Sequence, residues 1–255
     1  MSSTSPALPA HDVAGPVSTP RLAGRAIPRQ LLRRIPARNT TAGTAPFTDR
    51  PVLRGWLHAA FAPVAVLSSA VLLPRASTPM QVWAVAVFVA VSAALFTTSA
   101  LYHRRTWSPQ ALLRMQRIDH GNIPLTVAAG ATPLLLAGIP DDDGRLLLGA
   151  MWTAALLVAA SRWVWPSCPR PLHTAGTVAL GWAVAPALPA VAAQGHPVAA
   201  ALVVVCGLLC TAGGLVYATR WPEPSPRWFG HHEVFHALTV AAWPLHAGAV
   251  WLLLG

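Results

Sequence analysis

Beyond residue 50, seven long runs of apolar residues alternate with short polar segments. The runs cover residues 56–73, 82–101, 118–139, 146–164, 174–193, 198–218 and 234–254. Each is close to the ~20 residues that an α-helix needs to cross the hydrocarbon core of a bilayer. The pattern therefore predicts an all-α membrane protein, with a seven-helix transmembrane domain at residues 51–255.

Proline marks both the connections and some helix interiors. The segments between runs carry turn and breaker residues, for example in 140–144 and 222–226. Five prolines lie inside the runs: Pro124, Pro133, Pro186, Pro189 and Pro244. Membrane helices tolerate interior proline where neighbouring groups satisfy the freed carbonyls, so these residues do not remove any predicted span.

The amino-acid composition also indicates a membrane protein, and it distinguishes the first 50 residues from the rest of the chain. The 255-residue chain is 54% hydrophobic and only 10% charged, as expected for a polytopic membrane protein. Residues 1–50 are rich in Ser, Thr, Pro, Ala and Arg and contain no apolar run, which excludes a secretory signal peptide. They predict a disordered tail whose arginines contact membrane lipids.

The arginines also predict the orientation of the bundle. The formal net charge is +10, and every basic residue is Arg. Sixteen of the arginines lie in the tail and in the connections that follow the second, fourth and sixth spans. The connections that follow the first, third and fifth spans hold only Arg75 and Arg145. Positive charge is retained on the cytoplasmic side, so we expect a cytoplasmic N-terminus and an external C-terminus. This distribution indicates membrane topology rather than a nucleic-acid partner.

Candidate chemistry is concentrated where the seventh span begins. His232 and His236 are four residues apart, which places both imidazoles on one helix face, as a shared metal ion requires. The predicted topology adds two residues at the same depth, because His103 ends the second span and Asp119 begins the third. Random placement would scatter such groups over both sides, so their convergence favours a metal site over histidines that only cap a helix.

Further residues around this layer have weaker assignments. Ser99 lies one turn before His103 on the same face, where it could hydrogen-bond to a ligand or to its own helix. We expect His120 to pack or to contact a headgroup, and His246 to form a hydrogen bond within the bundle. His231 is expected at the interface. Tail, interface or loop positions are expected for His11, His58, His173 and His196.

Three motifs together resemble the hemolysin III family, which is related to the progestin and adipoQ receptors and more distantly to the alkaline ceramidases. They are Ser99-Ala100-Leu101-Tyr102-His103, Ile118-Asp119-His120 followed by residues 129–133, and residues 229–236 with His246 downstream. The resemblance implies Zn²⁺ held by His103, His232 and His236. It also implies that Asp119 contacts the zinc-bound water and that Ser99 supports the site.

Three functions remain open at this point. The first is a zinc-dependent hydrolase in the cell membrane, acting on a lipid-like amide or ester with Asp119 as proton acceptor. The second is an intramembrane metalloprotease, because residues 232–236 match H-E-x-x-H with Glu233 as general base. The third is non-enzymatic: a receptor, a lytic protein, or a structural zinc that joins three helices. In the first case we expect Glu233 to face headgroups or a neighbouring loop.

Overall fold

The computed structural model describes residues 50–139 and 141–254. Within them, seven helices are long and apolar enough to cross a membrane. They are α1 Trp56–Arg75, α2 Pro79–Arg104, α3 Pro109–Gly138, α4 Asp142–Val164, α5 Arg170–Ala193, α6 Pro197–Thr219 and α7 His231–Leu253. The predicted fold class is confirmed. The predicted tail lies outside the described residues except for Arg50, so that part of the domain organisation stays a prediction.

Three of these helices begin at a polar cap. Thr78 accepts a hydrogen bond from the backbone N–H of Gln81 at the start of α2, and Ser108 does the same for Ala111 in α3. Asp141 caps α4 in the same way. Such caps satisfy backbone donors that have no partner within the helix, so they define where each helix begins.

The third helix begins earlier than its apolar run predicted. It starts at Pro109 rather than at residue 118, which adds about 14 Å of helix at 1.5 Å per residue. The added turns include Arg114 and Arg117, and their polarity hid them from the apolar pattern. Asp119 therefore lies ten residues inside α3 and does not open it, which corrects the expectation from the sequence.

Interior prolines have different consequences in different helices. Helices α3 and α7 continue through Pro124, Pro133 and Pro244 without a break in assignment. In α5, by contrast, the α-helix Arg170–Trp182 gives way to a 3₁₀ turn at Ala185–Ala187, where Pro186 cannot donate a backbone hydrogen bond. The prolines thus leave α3 and α7, which carry candidate site residues, continuous.

Helix α3 lies at the centre of the bundle. In the most apolar 18-residue stretch of α3, 61% is buried inside the protein. The corresponding buried share in each of the other six helices is 39% or less. One apolar cluster around Leu135 joins α3 to α4, α5, α6 and α7. A second cluster, around Phe88 and Trp243, joins α1, α2 and α7. Helix α7 belongs to both clusters, so it packs against the centre from two sides.

Polar side chains concentrate at one end of the bundle. This is the end where α2 finishes and α3 and α7 begin, and we call it the histidine end. Among the described residues, eight buried polar ones lie there: His58, Ser99, His103, Asp119, His120, His232, Glu233 and His236. Burying so many polar groups is costly unless they find partners or a ligand, so this end holds the candidate site.

Candidate metal centre

Three histidines from two helices meet at the histidine end. His103 comes from the last turn of α2, and His232 and His236 come from the first two turns of α7. One ring nitrogen from each lies within 4.8 Å of the other two. The Nε2 atoms of His103 and His232 are 3.1 Å apart. The spacing of four residues on α7 thus presents both imidazoles to a third that is distant in sequence.

Asp119 brings a carboxylate to the same group. Its Oδ2 atom lies 3.8 Å from Nε2 of His103, and its side chain is buried. Ser99, one turn before His103 on α2, is also buried. The structure therefore places Asp119 beside the histidines, although Asp119 projects from the interior of α3.

The donor set fits a divalent metal ion. Imidazole nitrogen and carboxylate oxygen are ligands that zinc takes in proteins. A hydrogen bond between the two Nε2 atoms would by itself account for the contact of His103 with His232. It does not account for the third imidazole, His236, which brings another ring nitrogen to the same point. All three imidazoles are at most 4% exposed, so water does not compete for their lone pairs from the surface. Three histidines with a nearby carboxylate match the composition of an open zinc site.

Glu233 is used for structure within this region. One carboxylate oxygen accepts a hydrogen bond from the backbone N–H of Gly230 at 2.9 Å, which caps α7. The other oxygen pairs with the guanidinium of Arg54. Glu233 is only 1% exposed. Of the two expected surroundings, headgroups or a neighbouring loop, the structure shows the loop, because the segment before α1 covers Glu233.

Residues 50–55 form a strap across the histidine end. Backbone N–H groups of Val52 and Leu53 donate to the carbonyl oxygens of Arg227 and Trp228, at 2.9 and 3.2 Å. Gly55 then turns the chain with φ +78°, close against α2. A Cβ atom at Gly55 would lie 2.7 Å from Cβ of His103, so only glycine allows this approach. The strap, Arg54 and Gly55 had no signal in the sequence pattern.

His58 is a further residue that the sequence misplaced. It was expected at an interface, but it is 3% exposed and lies within α1. Neither of its ring nitrogens has a hydrogen-bond partner among the described atoms. Its ring stacks on that of His236 and meets Phe96 edge to face. Its position in an apolar run gave no signal, because contact with α7 arises only from packing.

The remaining histidines take other roles. His246 bonds to the carbonyl oxygen of Gly130 at 2.9 Å, which confirms its expected hydrogen bond within the bundle. His120 is buried, and its Nδ1 lies 2.9 Å from a guanidinium nitrogen of Arg162. His173 lies near the start of α5. These contacts involve partners other than the three clustered imidazoles.

A sequence comparison identifies the family. The family model for haemolysin-III related proteins matches residues 48–247. The match includes all seven helices except the end of α7, together with every residue of the candidate centre. The chain belongs to the haemolysin-III related family, and with its seven apolar helices it is a multi-pass membrane protein.

Proposed function

We propose that this haemolysin-III related protein is a zinc-dependent hydrolase of a lipid amide or ester. The observation that carries the proposal is the convergence of His103, His232 and His236 with Asp119 in one buried group. Structural zinc is usually closed by four protein ligands, whereas catalytic zinc keeps a position for water or substrate. Three imidazoles with a carboxylate at 3.8 Å from one of them resemble the catalytic arrangement more closely.

The residues divide into ligands and a proton acceptor. His103, His232 and His236 would hold the ion, which when bound supplies Lewis acidity and a water with a lowered pKa. Asp119 is the carboxylate nearest to these ligands, so it is placed to take a proton from the attacking water. Ser99, one turn before His103 on the same helix, would orient Asp119 through a hydrogen bond. Burial strengthens these electrostatic interactions, because the surroundings screen charge less than bulk water does.

The position of the site suggests the substrate class. His103 lies in the last turn of α2 and His232 in the first turn of α7, so the ligands lie near the ends of membrane-spanning helices. The acyl linkages of membrane lipids lie at the boundary between headgroups and hydrocarbon. A lipid in the cell membrane would thus present an amide or ester carbonyl near this depth. The arginine distribution predicts that the same end faces the cytoplasm.

The metalloprotease alternative depends on Glu233. In that motif the glutamate must approach a water at the metal, but here both carboxylate oxygens are engaged by Gly230 and Arg54. These two contacts favour Asp119 over Glu233 as proton acceptor. A structural metal that joins α2 to α7 is the non-enzymatic alternative, and it needs no role for Asp119.

The decisive experiment measures turnover and metal together. Purified full-length protein is loaded with zinc and incubated with a fluorescent acyl-amide lipid and with its ester analogue. We expect hydrolysis that a chelator abolishes and that added zinc restores. Zinc at one ion per chain with no turnover of either lipid would favour the structural alternative.

A further inference from the structure

A second group of polar side chains lies between α3, α4, α5 and α6 at the histidine end. We call it the basic cluster, and its members are His120, Arg162, Arg170, His173 and Tyr217. None of them is among the three clustered imidazoles of the metal centre. Tyr217 also meets the ring of the candidate ligand His232, with centroids 6.0 Å apart, so the basic cluster adjoins the metal centre, although the proposed hydrolysis does not use its arginines.

The cluster is held together by contacts among its own members. A terminal nitrogen of Arg162 lies 2.9 Å from Nδ1 of His120, and Arg162 also interacts electrostatically with His173. The guanidinium carbon of Arg170 lies 4.8 Å from the centre of the Tyr217 ring. Arg162 and Arg170 are also close enough to interact electrostatically, and their like charges repel.

No carboxylate among the described residues balances these charges. The ion pairs found there involve Arg54, His103, Arg145 and His231 as the basic partners. In addition, Nε of Arg162 and Nε2 of His173 are shielded from solvent and have no hydrogen-bond partner among the described atoms. The Nε–H of Arg162 is always a donor, and a buried donor without an acceptor is costly, so the basic cluster lacks an acceptor at this point.

We propose that the basic cluster binds a phosphate group. Guanidinium groups offer paired donors that match phosphate oxygens. Arg170 is the first residue of α5, and the dipole of a helix N-terminus also favours an anion. Two arginines and a helix N-terminus thus point to the same ligand chemistry.

The surroundings show how a lipid could supply this phosphate. Trp163, Val164 and Trp165, which follow Arg162, are 47%, 82% and 48% exposed. Leu172, which lies between Arg170 and His173, is 54% exposed. Exposed tryptophans at helix ends are typical of the membrane interface, where phospholipid headgroups lie. Basic pockets between membrane helices bind such headgroups, although free phosphate offers the same oxygens.

The test uses full-length protein purified in a nonionic detergent free of phospholipid. Inorganic phosphate, phosphatidic acid and phosphatidylcholine are titrated separately at constant ionic strength, and binding is followed by the rise in Tm. We expect saturable stabilisation by phosphatidic acid and little by phosphatidylcholine, whose choline cation offsets the phosphate charge. If inorganic phosphate raised the Tm as much as phosphatidic acid, the ligand would be the free anion. If inorganic phosphate did not raise the Tm and phosphatidic acid did, the ligand would be the lipid.

Paired variants locate the site. The double variant Arg162→Gln, Arg170→Gln should weaken phosphatidic acid binding by roughly tenfold or more, because hydrogen bonds to charged groups are lost. The matched control is Arg105→Gln, Arg114→Gln, which removes two exposed charges and should change binding by less than about twofold, since exposed charges are strongly screened. Equal weakening in both double variants would overturn the assignment in favour of general surface charge.

A second measurement covers the case in which the cluster variant does not fold. Phosphorus NMR of the unmodified protein with phosphatidic acid should show one bound phosphate per chain. Binding at this stoichiometry, with Arg162→Lys and Arg170→Lys retaining part of the affinity, supports the proposal. If the unmodified protein binds neither phosphatidic acid nor inorganic phosphate, the proposal fails.

Discussion

The imidazole of His58 lies parallel to that of His236, with ring centroids 3.9 Å apart and planes inclined by 13°. His58 belongs to α1 and His236 to α7, so the stacked pair joins the first helix to one that carries candidate metal ligands. On its other side His58 meets Phe96 of α2 at 5.0 Å. The stack restricts the rotation of His236 and makes α1 part of the wall of the metal centre.

Replacing His58 should therefore affect metal affinity through the position of His236. In His58→Leu the flat contact is lost, and we expect zinc affinity to fall. In His58→Phe an aromatic ring can still stack, so affinity should be largely retained. Zinc affinity of both variants is measured by competition with a chelator. Equal losses in the two variants would instead show that the ring nitrogens of His58 contribute directly.

The metal should also stabilise the fold. Its three ligands join α2 to α7, and an ion that binds only the native state adds RT ln(1 + [L]/Kd), about 4 kcal/mol at a thousandfold excess over Kd. We expect one zinc per chain by elemental analysis and a lower Tm after chelation. A triple alanine variant at His103, His232 and His236 should lose the zinc, whereas His196→Ala at a loop position should keep it. A folded triple variant that retained zinc would refute these ligands.

Asp119 and Glu233 should respond differently to removal of charge. Asp119→Asn removes the proposed proton acceptor, so turnover should fall by roughly 10²- to 10⁴-fold, the usual contribution of acid–base catalysis, while zinc is retained. Glu233→Gln should keep turnover in the folded fraction. It should lower the free energy of unfolding by roughly 3 kcal/mol, because Arg54 loses its buried partner.

Lipid hydrolysis, zinc content and unfolding are measured on the same preparations of both variants. An inactive Glu233→Gln protein that keeps its zinc and its stability, beside an active Asp119→Asn protein, would favour the metalloprotease alternative.

The strap predicts a specific effect at Gly55. Alanine there must adopt φ +78°, which costs about 1–2 kcal/mol, and its Cβ would also collide with His103. Gly195→Ala is a matched control, because Gly195 has φ +97° but nothing within 4 Å of the added atom. Both variants should lose stability, but only Gly55→Ala should also lose zinc affinity. If their zinc affinities were the same, the strap would not position His103.

The orientation of the bundle can be tested with reporter fusions. The arginine distribution predicts that fusions at Gly144 and after Gly255 report the outside and that a fusion at Pro109 reports the cytoplasm. Reversed signals at all three positions would place the metal centre on the external side.

The sequence alone determined the features that depend on local pattern. Apolar runs near the length of a bilayer predict the seven helices, because backbone groups in lipid must be satisfied within a helix. The spacing of His232 and His236 follows from helix geometry. Because successive helices cross a membrane in opposite directions, His103 and Asp119 could be assigned to the same end without any knowledge of packing.

Only the tertiary structure decided which neighbours surround these residues. The stack of His58 on His236 and the pairing of Arg54 with Glu233 depend on how helices rotate and pack. Hydropathy gives the depth of a side chain but not the direction in which it points around the bundle axis. For this reason the sequence predicted the layer that holds the metal centre, whereas the strap and the basic cluster appeared only in three dimensions.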